Sequence, residues 1–552
     1  MREVDPIKLE VIRHALVAAA EEMSLTIWRT ARSTVVREIL DYSTAVFDAG
    51  GGNVAQSARI PVHLNSMADC LRTVLTEHLP PATWRPGDVV IVNDPYHGGQ
   101  HLPDIQTFMP VFEGERLIAI CGTLCHHADV GGGAAGSYYA DATEIFQEGL
   151  RIPPLKLVAG GVRNEAVMAL LRTNVREPGK FDGDLAAQLA ALGRGAAAVA
   201  KLATKYGGDT LTAAMARIQD GSERLLRRAI AALPPDVVGQ AHDLVDDDGI
   251  DAGPIEVRVT VRVEGDQLVV DFSGSGPAAR GPVNNTPAMT ASAVSFAVLS
   301  ALGPDIPANS GCDRPITLVL PEGSVVNARF PAPVAGRMVV NHRLAGVVLE
   351  ALAAFVPDRV GAAYYGISYV YAVQLADRRG EPGVYFDIEV GGWGGHPEGD
   401  GASALSCGMH NNANAPIEMV EALYPVHFER YGLLADTGGA GRHRGGLGLE
   451  RSWRFEGDEA RLSTNFERFR YPPRGLAGGG DGSLSRTTVI DASGHATHLP
   501  SKISGHRLQH GDTVHLETSG GGGFGAPETR DPDALAADLA AGYVVDPSRY
   551  RG

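Results

Sequence analysis

Residues 254–274, PIEVRVTVRVEGDQLVVDFSG, carry the reading that decides the fold class. Val257, Val259, Val261 and Val263 alternate with Arg258, Thr260 and Arg262, the period-2 pattern of a strand with one buried face. Glu264, Gly265 and Asp266 form a turn, and QLVVDF returns as a second strand. Just upstream the pattern changes. GDLAAQLAALGRGAAAVAKLATKYG (183–207) and LTAAMARIQDGSERLLRRAIAAL (211–233) are Ala-rich and amphipathic, as a helical pair requires. Helical and strand-pairing segments follow one another without a βαβ rhythm. The expected class is therefore α+β, with several domains, largely antiparallel sheets and Gly-rich loops.

Outward from that centre, the N-terminal segment is a clear helix, with Asp5 as cap, Pro6 at the first position, and a run to about Ser33. DYSTAVFDAGGGNV (41–54) reads as a hairpin turning at Gly50 to Asn53. Further helices are expected near 286–302 and 341–356, with strands and Gly-rich turns beyond Gly361 and a short terminal helix in DPDALAADLAAGYV. With 552 residues the chain exceeds what one core organises. Four parts are expected: 1–182 with the chemistry, a helical insert at 183–235, an α+β middle at 236–360, and a strand-rich 361–552.

Composition removes several functions. A formal net charge of -17 disfavours a nucleic-acid surface, which needs clustered Lys and Arg. No apolar run approaches the roughly 20 residues of a membrane helix. The start MREVDPIKLEVIRHAL carries charges where a signal peptide would be apolar, and five cysteines make no disulfide framework. A soluble, cytoplasmic protein is expected.

Histidines mark the chemistry. Eighteen spread evenly would put about two in a window of 65 residues, yet His63, His97, His101, His126 and His127 fall in one such window. NDPYHGGQHLPDIQ supplies Asp94 and Asp104, CHHADVGGG supplies Asp129, and Asp41 lies upstream. His101-x-x-Asp104 offers two donors from one turn, and the apolar run LIAICGTLC delivers His126 at its end. Asp41 would close an N2O2 set that suits Zn, Mn or Fe(II), held at about 2.0–2.2 Å; the plain alternative from spacing alone is ordinary loop histidines beside acidic residues. Gly131, Gly133 and Gly136 spell GxGxxG, but no helix pattern or ribose-binding acid follows. There is no Walker A motif and no GxSxG elbow. Trp393, His396 and Asp400, in GGWGGHPEGDGAS, are candidate ligand-lining residues on what reads first as an ordered turn.

Several blocks together resemble the hydantoinase B/oxoprolinase family. They are DPIKLEVIRHAL, REILDYSTAVFDAGGGNVAQ (one Gly longer than the family's form), IPVHLNSM, NDPYHGGQHLPDI, HHADVGG, EIFQEGLRIPP, GGWGGHPEGDG and SGGGGFGAP. They occur in order along essentially the whole chain. The resemblance implies a B-type subunit of an ATP-dependent enzyme that opens hydantoin, 5-oxoproline or another lactam. A separate A-type ATPase subunit would phosphorylate the substrate's oxygen, which fits the missing nucleotide motif. It also implies metal ligands at Asp41, His101, Asp104 and His126. Asp129 and Glu148 become candidate proton-relay groups, with His127 beside them. Two further roles are implied by related proteins: a subunit of an acetone-type carboxylase, or a non-catalytic scaffold in such a hetero-oligomer.

Overall fold

The computed structural model describes residues 4–550. Helix Pro6–Thr30 starts as expected, with the Asp5 carboxylate accepting the Lys8 N–H at 3.0 Å. It stops at Thr30 instead of reaching Ser33. The buried Asp184 carboxylate takes the N–H groups of Arg32 (2.6 Å) and Ser33 (3.0 Å), drawing the chain out of the helix.

Seven strands make the first sheet: β1 (Tyr42–Asp48), β2 (Asn53–Gln56), β3 (Val89–Val92), β4 (Asp104–Glu113), β5 (Arg116–His126), β6 (Leu155–Ala159) and β7 (Val162–Arg163). Their order is β2-β1-β5-β4-β3-β6-β7 and every neighbouring pair is antiparallel. One face packs under helix Pro61–Thr73, with Phe47, Phe108, Ile120 and Leu124 between them. The other face carries helices Pro6–Thr30, Pro178–Tyr206 and Gly208–Ala231 in a single apolar layer. The segment 183–235, expected as a helical insert, thus forms part of the layer that covers the first sheet. Gly195 lets two of these helices touch: a Cβ there would stand 2.1 Å from Met23 Sδ.

The opening hairpin has the expected register. β9 (Ile255–Glu264) and β10 (Gln267–Asp271) pair with Glu264 opposite Gln267 around Gly265, whose φ is +66°. Val257, Val259 and Val261 are buried while Arg258 is exposed. With β8 (Val238–Val245) and β11 (Ile316–Val319) they form a sheet of order β11-β10-β9-β8, in which only β10 and β11 run parallel. Helices Pro287–Leu302 and Met338–Leu352 join this sheet in a core that continues without a break into Tyr371, Trp453 and Leu462 of the C-terminal sheets. Those sheets have four and five strands, all antiparallel. The α+β class holds, with 32% helix and 26% strand. No helix among the described residues is long and apolar enough to cross a membrane.

A buried ion cluster ties the two C-terminal sheets. Arg451 is fully buried, lies 2.9 Å from Asp387, and also bridges to Glu389. Arg451→Met would leave two buried carboxylates without their cation. The expected cost is about 3–5 kcal/mol, read as a lowered urea midpoint with unchanged slope.

Candidate metal centre

The first sheet assembles the histidines and aspartates at one end. β4 and β5 are in register so that Asp104 stands opposite His126. Tyr42 of β1 pairs with Cys125, which brings the preceding Asp41 alongside, and its carbonyl accepts the His126 N–H at 3.0 Å. His101 precedes β4 across a turn closed by the Asp104 N–H on the His101 carbonyl, 3.0 Å. Gly98 allows the loop to reach that turn. Its φ is +85°, and a Cβ would stand 2.6 Å from the Cys70 backbone.

Three side-chain atoms face one another. His101 Nε2 is 3.1 Å from His126 Nδ1 and 3.1 Å from Asp104 Oδ1, while His126 Nδ1 is 3.0 Å from that same oxygen. All three residues are buried. His101 Nδ1 lies 3.2 Å from the Ala335 carbonyl, which fixes a hydrogen there and leaves Nε2 as a lone pair. Burial, with the Arg337 cation beside it, pulls His101 down to about 3. Burial alone would raise the Asp104 carboxyl, but His101, Arg337 and His126 hold it well below the usual carboxylate range. A neutral His101 ring, an ionised Asp104 carboxylate and the His126 ring beside them make a nitrogen and oxygen donor set that suits a borderline divalent cation, which would displace the hydrogen shared at His126 Nδ1. This donor set fits the implied metal.

Asp41 lines the same small cavity, of about 20 Å³, but stands outside that tight trio. Its Oδ1 is 3.5 Å from Nε2 of His63, whose Nδ1 is 3.3 Å from Ser43 Oγ. Burial lowers His63 against the pull of Asp104 and Asp41. Tyr138 and Arg337 also face the cavity. Arg337 Nη2 bonds Asp104 Oδ2 at 2.7 Å and Gln100 Oε1 at 2.9 Å, while its Nε and Nη1 have no partner.

Two expected site residues lie elsewhere. Asp129 is not on the cavity wall. Its Oδ1 accepts from the backbone of Gly131 (2.9 Å) and Arg176 (3.0 Å), and its Oδ2 from Gly136 N–H (3.1 Å) and the Arg176 guanidinium (2.8 Å). Those four bonds occupy both oxygens in holding a glycine-rich loop. Glu148 is also off the wall: its Oε1 accepts the Ala335 N–H at 2.7 Å, and Oε2 is buried without a partner. Burial pushes this carboxyl up to about 8 against the pull of the Ala335 and Val334 backbone and Arg337. Glu148 thereby steadies the residue whose carbonyl orients His101. His127 points away, to Gln188 at 3.0 Å. Asp400 is held by Arg530 and the Arg444 N–H, whereas Trp393 and His396 line a separate cavity of about 380 Å³. Arg337 and His63 had no assigned role in the sequence. Histidine clustering already included His63; nothing local marks Arg337, which is 233 residues from its partner.

A multi-sheet α+β protein that converges histidine and aspartate on a buried pocket is the class these observations define. The chain belongs to the hydantoinase B/oxoprolinase family, whose profile matches residues 5–527. A protein of Pseudomonas sp., provisionally assigned as the B-type component of a D-/L-hydantoinase, is 32% identical, covering 99% of this chain and 94% of its own. The 5-oxoprolinase 1 of Arabidopsis thaliana is 32% identical over 95% of this chain, which spans only 42% of that longer protein. Among solved structures, an ATP-dependent caprolactamase from Pseudomonas jessenii superposes with a TM-score of 0.91 at 30% identity, covering 98% of this chain and 95% of its own.

Proposed function

We propose that the chain is the metal-bearing B-type subunit of an ATP-dependent enzyme that opens a cyclic amide, working with an A-type ATPase subunit. The observation that carries this reading is the facing trio of His101, Asp104 and His126 on a wall shared with Asp41. Family membership and the likeness to the caprolactamase support it.

An unstrained lactam resists hydrolysis because amide resonance must be broken and the leaving amine is basic. Phosphorylation of its oxygen by the partner makes the ring carbon electrophilic: water adds there, the C–N bond breaks with a proton going to the amine nitrogen, and the acyl phosphate that remains is hydrolysed to carboxylate and phosphate. His101, Asp104 and His126 would hold a Zn, Mn or Fe ion, with Asp41 completing the set. Such an ion supplies Lewis acidity and lowers the pKa of water. The chain's own groups do the rest. Arg337 helps keep Asp104 ionised and presents two unengaged nitrogens, Nε and Nη1, to anionic oxygens. His63, paired with Asp41, is placed to take up or return a proton at Nε2. Apolar neighbours such as Ile60, Val370 and Ile388 keep bulk water out.

The test is reconstitution with the ATPase partner, followed by a panel of hydantoin, 5-oxoproline and caprolactam with phosphate release and ring opening measured together. Coupled turnover is expected for one ring class; ring opening that persists without ATP would overturn the reading. The isolated chain should release no phosphate from ATP above buffer background. Steady turnover by the purified chain would mean that it carries a nucleotide site of its own.

A further inference from the structure

A second group of metal-binding side chains lies apart from the trio. His342, Cys407 and His410 are 0%, 1% and 3% exposed, and one donor atom from each lies within 4.8 Å of the others. His342 comes from helix Met338–Leu352, while Cys407 and His410 come from a segment that crosses beside it. Cys407 Sγ is 3.3 Å from His342 Nδ1. The two imidazoles are nearly perpendicular, at 85°, with centroids 5.2 Å apart.

The hydrogen bonds around the rings resemble the outer shell of a metal site. His410 Nδ1 is 2.8 Å from Asn412 Oδ1 and 3.1 Å from Ser406 Oγ. The Ser406 hydroxyl donates its one hydrogen to the His410 carbonyl at 3.1 Å, so both neighbours of Nδ1 act as acceptors. The ring hydrogen therefore sits on Nδ1 and the lone pair on Nε2. On His342, Nε2 is 3.1 Å from Ser368 Oγ; in the tautomer whose Nε2–H donates to that hydroxyl, Nδ1 turns its lone pair to the thiol. Tyr364 Oη is 3.3 Å from Nδ1 as well, and with its hydrogen on the His342 carbonyl, 3.1 Å away, it leaves that lone pair to the cation. Histidines that bind metal are commonly fixed in this way by an acceptor on the outer nitrogen. Tyr365 OH, 3.5 Å from His410 Nε2, is a nearby oxygen for a fourth position.

We propose that His342 Nδ1, Cys407 Sγ and His410 Nε2 form a second, sulfur-containing metal site that takes one zinc-like divalent cation. A thiolate with two imidazoles is a softer donor set than the nitrogen and oxygen trio of the first centre. Binding replaces the thiol hydrogen: the proton leaves to the buffer, and the sulfur electron pair goes to the cation. The site clamps residues 405–412 onto helix Met338–Leu352. His410 and Asn412 also line the first cavity, so occupancy of the second site fixes one wall of the first.

Cobalt(II) distinguishes the two centres, since only a thiolate ligand gives an intense near-ultraviolet charge-transfer band. The full chain, stripped by chelator, is expected to bind about two equivalents of cobalt, one of which brings that band. Cys407→Ser should lose the band and one equivalent. Asp104→Asn should keep the band and lose the other equivalent, so failure of this inference and failure of the proposed function give different results. Zinc-loaded protein should show one sulfur neighbour near 2.3 Å by X-ray absorption. Saturated, folded wild type without the band would overturn the proposal. So would a band that survives in Cys407→Ser, since Cys70, Cys121, Cys125 and Cys312 are the other thiols present.

Discussion

Asp104→Asn is expected to leave the fold intact, strip the first metal and reduce ring opening by more than about a hundredfold. That is a floor, because outer-shell partners of metal ligands already reach 10–100-fold. Asp104 does three things: Oδ1 meets both imidazoles, Oδ2 binds Arg337, and the backbone anchors β4 opposite His126. Alanine would remove all side-chain contacts and leave the Arg337 cation buried, with a stability loss of about 3–5 kcal/mol mixed into the result. Asparagine keeps an oxygen for Arg337 but lacks the negative charge a cation requires. The measurement is metal content by plasma mass spectrometry on protein purified without chelator, beside the thermal midpoint. A folded asparagine variant with undiminished metal at the first centre would exclude Asp104 as a ligand.

How much of this centre could be read from the sequence follows from its construction. His101 and Asp104 share one turn, and His126 ends an apolar run that had to be a buried strand, so spacing and hydropathy sufficed to pair them. Asp41 arrives through β1 pairing with β5, a non-local contact; the sequence offered it only as an upstream carboxylate that would complete the set, and the resemblance implied the same residue. The structure then places it facing His63 instead of inside the trio. Arg337 was invisible because a lone arginine in VAGRMVV carries no pattern, and its partners Gln100 and Asp104 are 237 and 233 residues away. Asp129 stood beside the histidines in sequence, but successive residues beyond a strand end point in different directions. Its carboxylate faces Arg176 and a backbone loop. The hairpin at 254–274 was legible in full because both its pattern and its partner are local. The helices of 183–235 were legible as helices, but not as a cover for the first sheet, since an amphipathic stripe does not name what it packs against. Cys407 and its two histidines gave no signal, because 65 residues separate the thiol from His342.

Glu148→Gln is expected to change the pH dependence of stability far more than its shape. In the folded chain the carboxyl ionises near 8, against an ordinary value of 4.5. Below the ordinary value both folded and unfolded chains hold the proton, and nothing is lost. As pH rises from there towards 8, the unfolded chain ionises while the fold does not, so the wild type steadily loses stability; above 8 the loss is complete. A shift of this size corresponds to about 5 kcal/mol at most, and a few kcal/mol is the expected reading. Glutamine does not titrate and can still accept the Ala335 N–H. The variant should therefore gain on the wild type between pH 5 and pH 8, measured as the difference in urea unfolding free energy. A difference that stays flat would mean Glu148 is ionised in the folded chain. Activity separates the two roles that this residue could have. As a group that positions Ala335 for His101, it tolerates glutamine, which keeps the bond, and fails as alanine, which loosens His101 and lowers metal affinity by about 10–100-fold. As a proton-relay group it would fail equally in both. The buried Oε1 on a backbone N–H, away from the cavity, favours the first outcome.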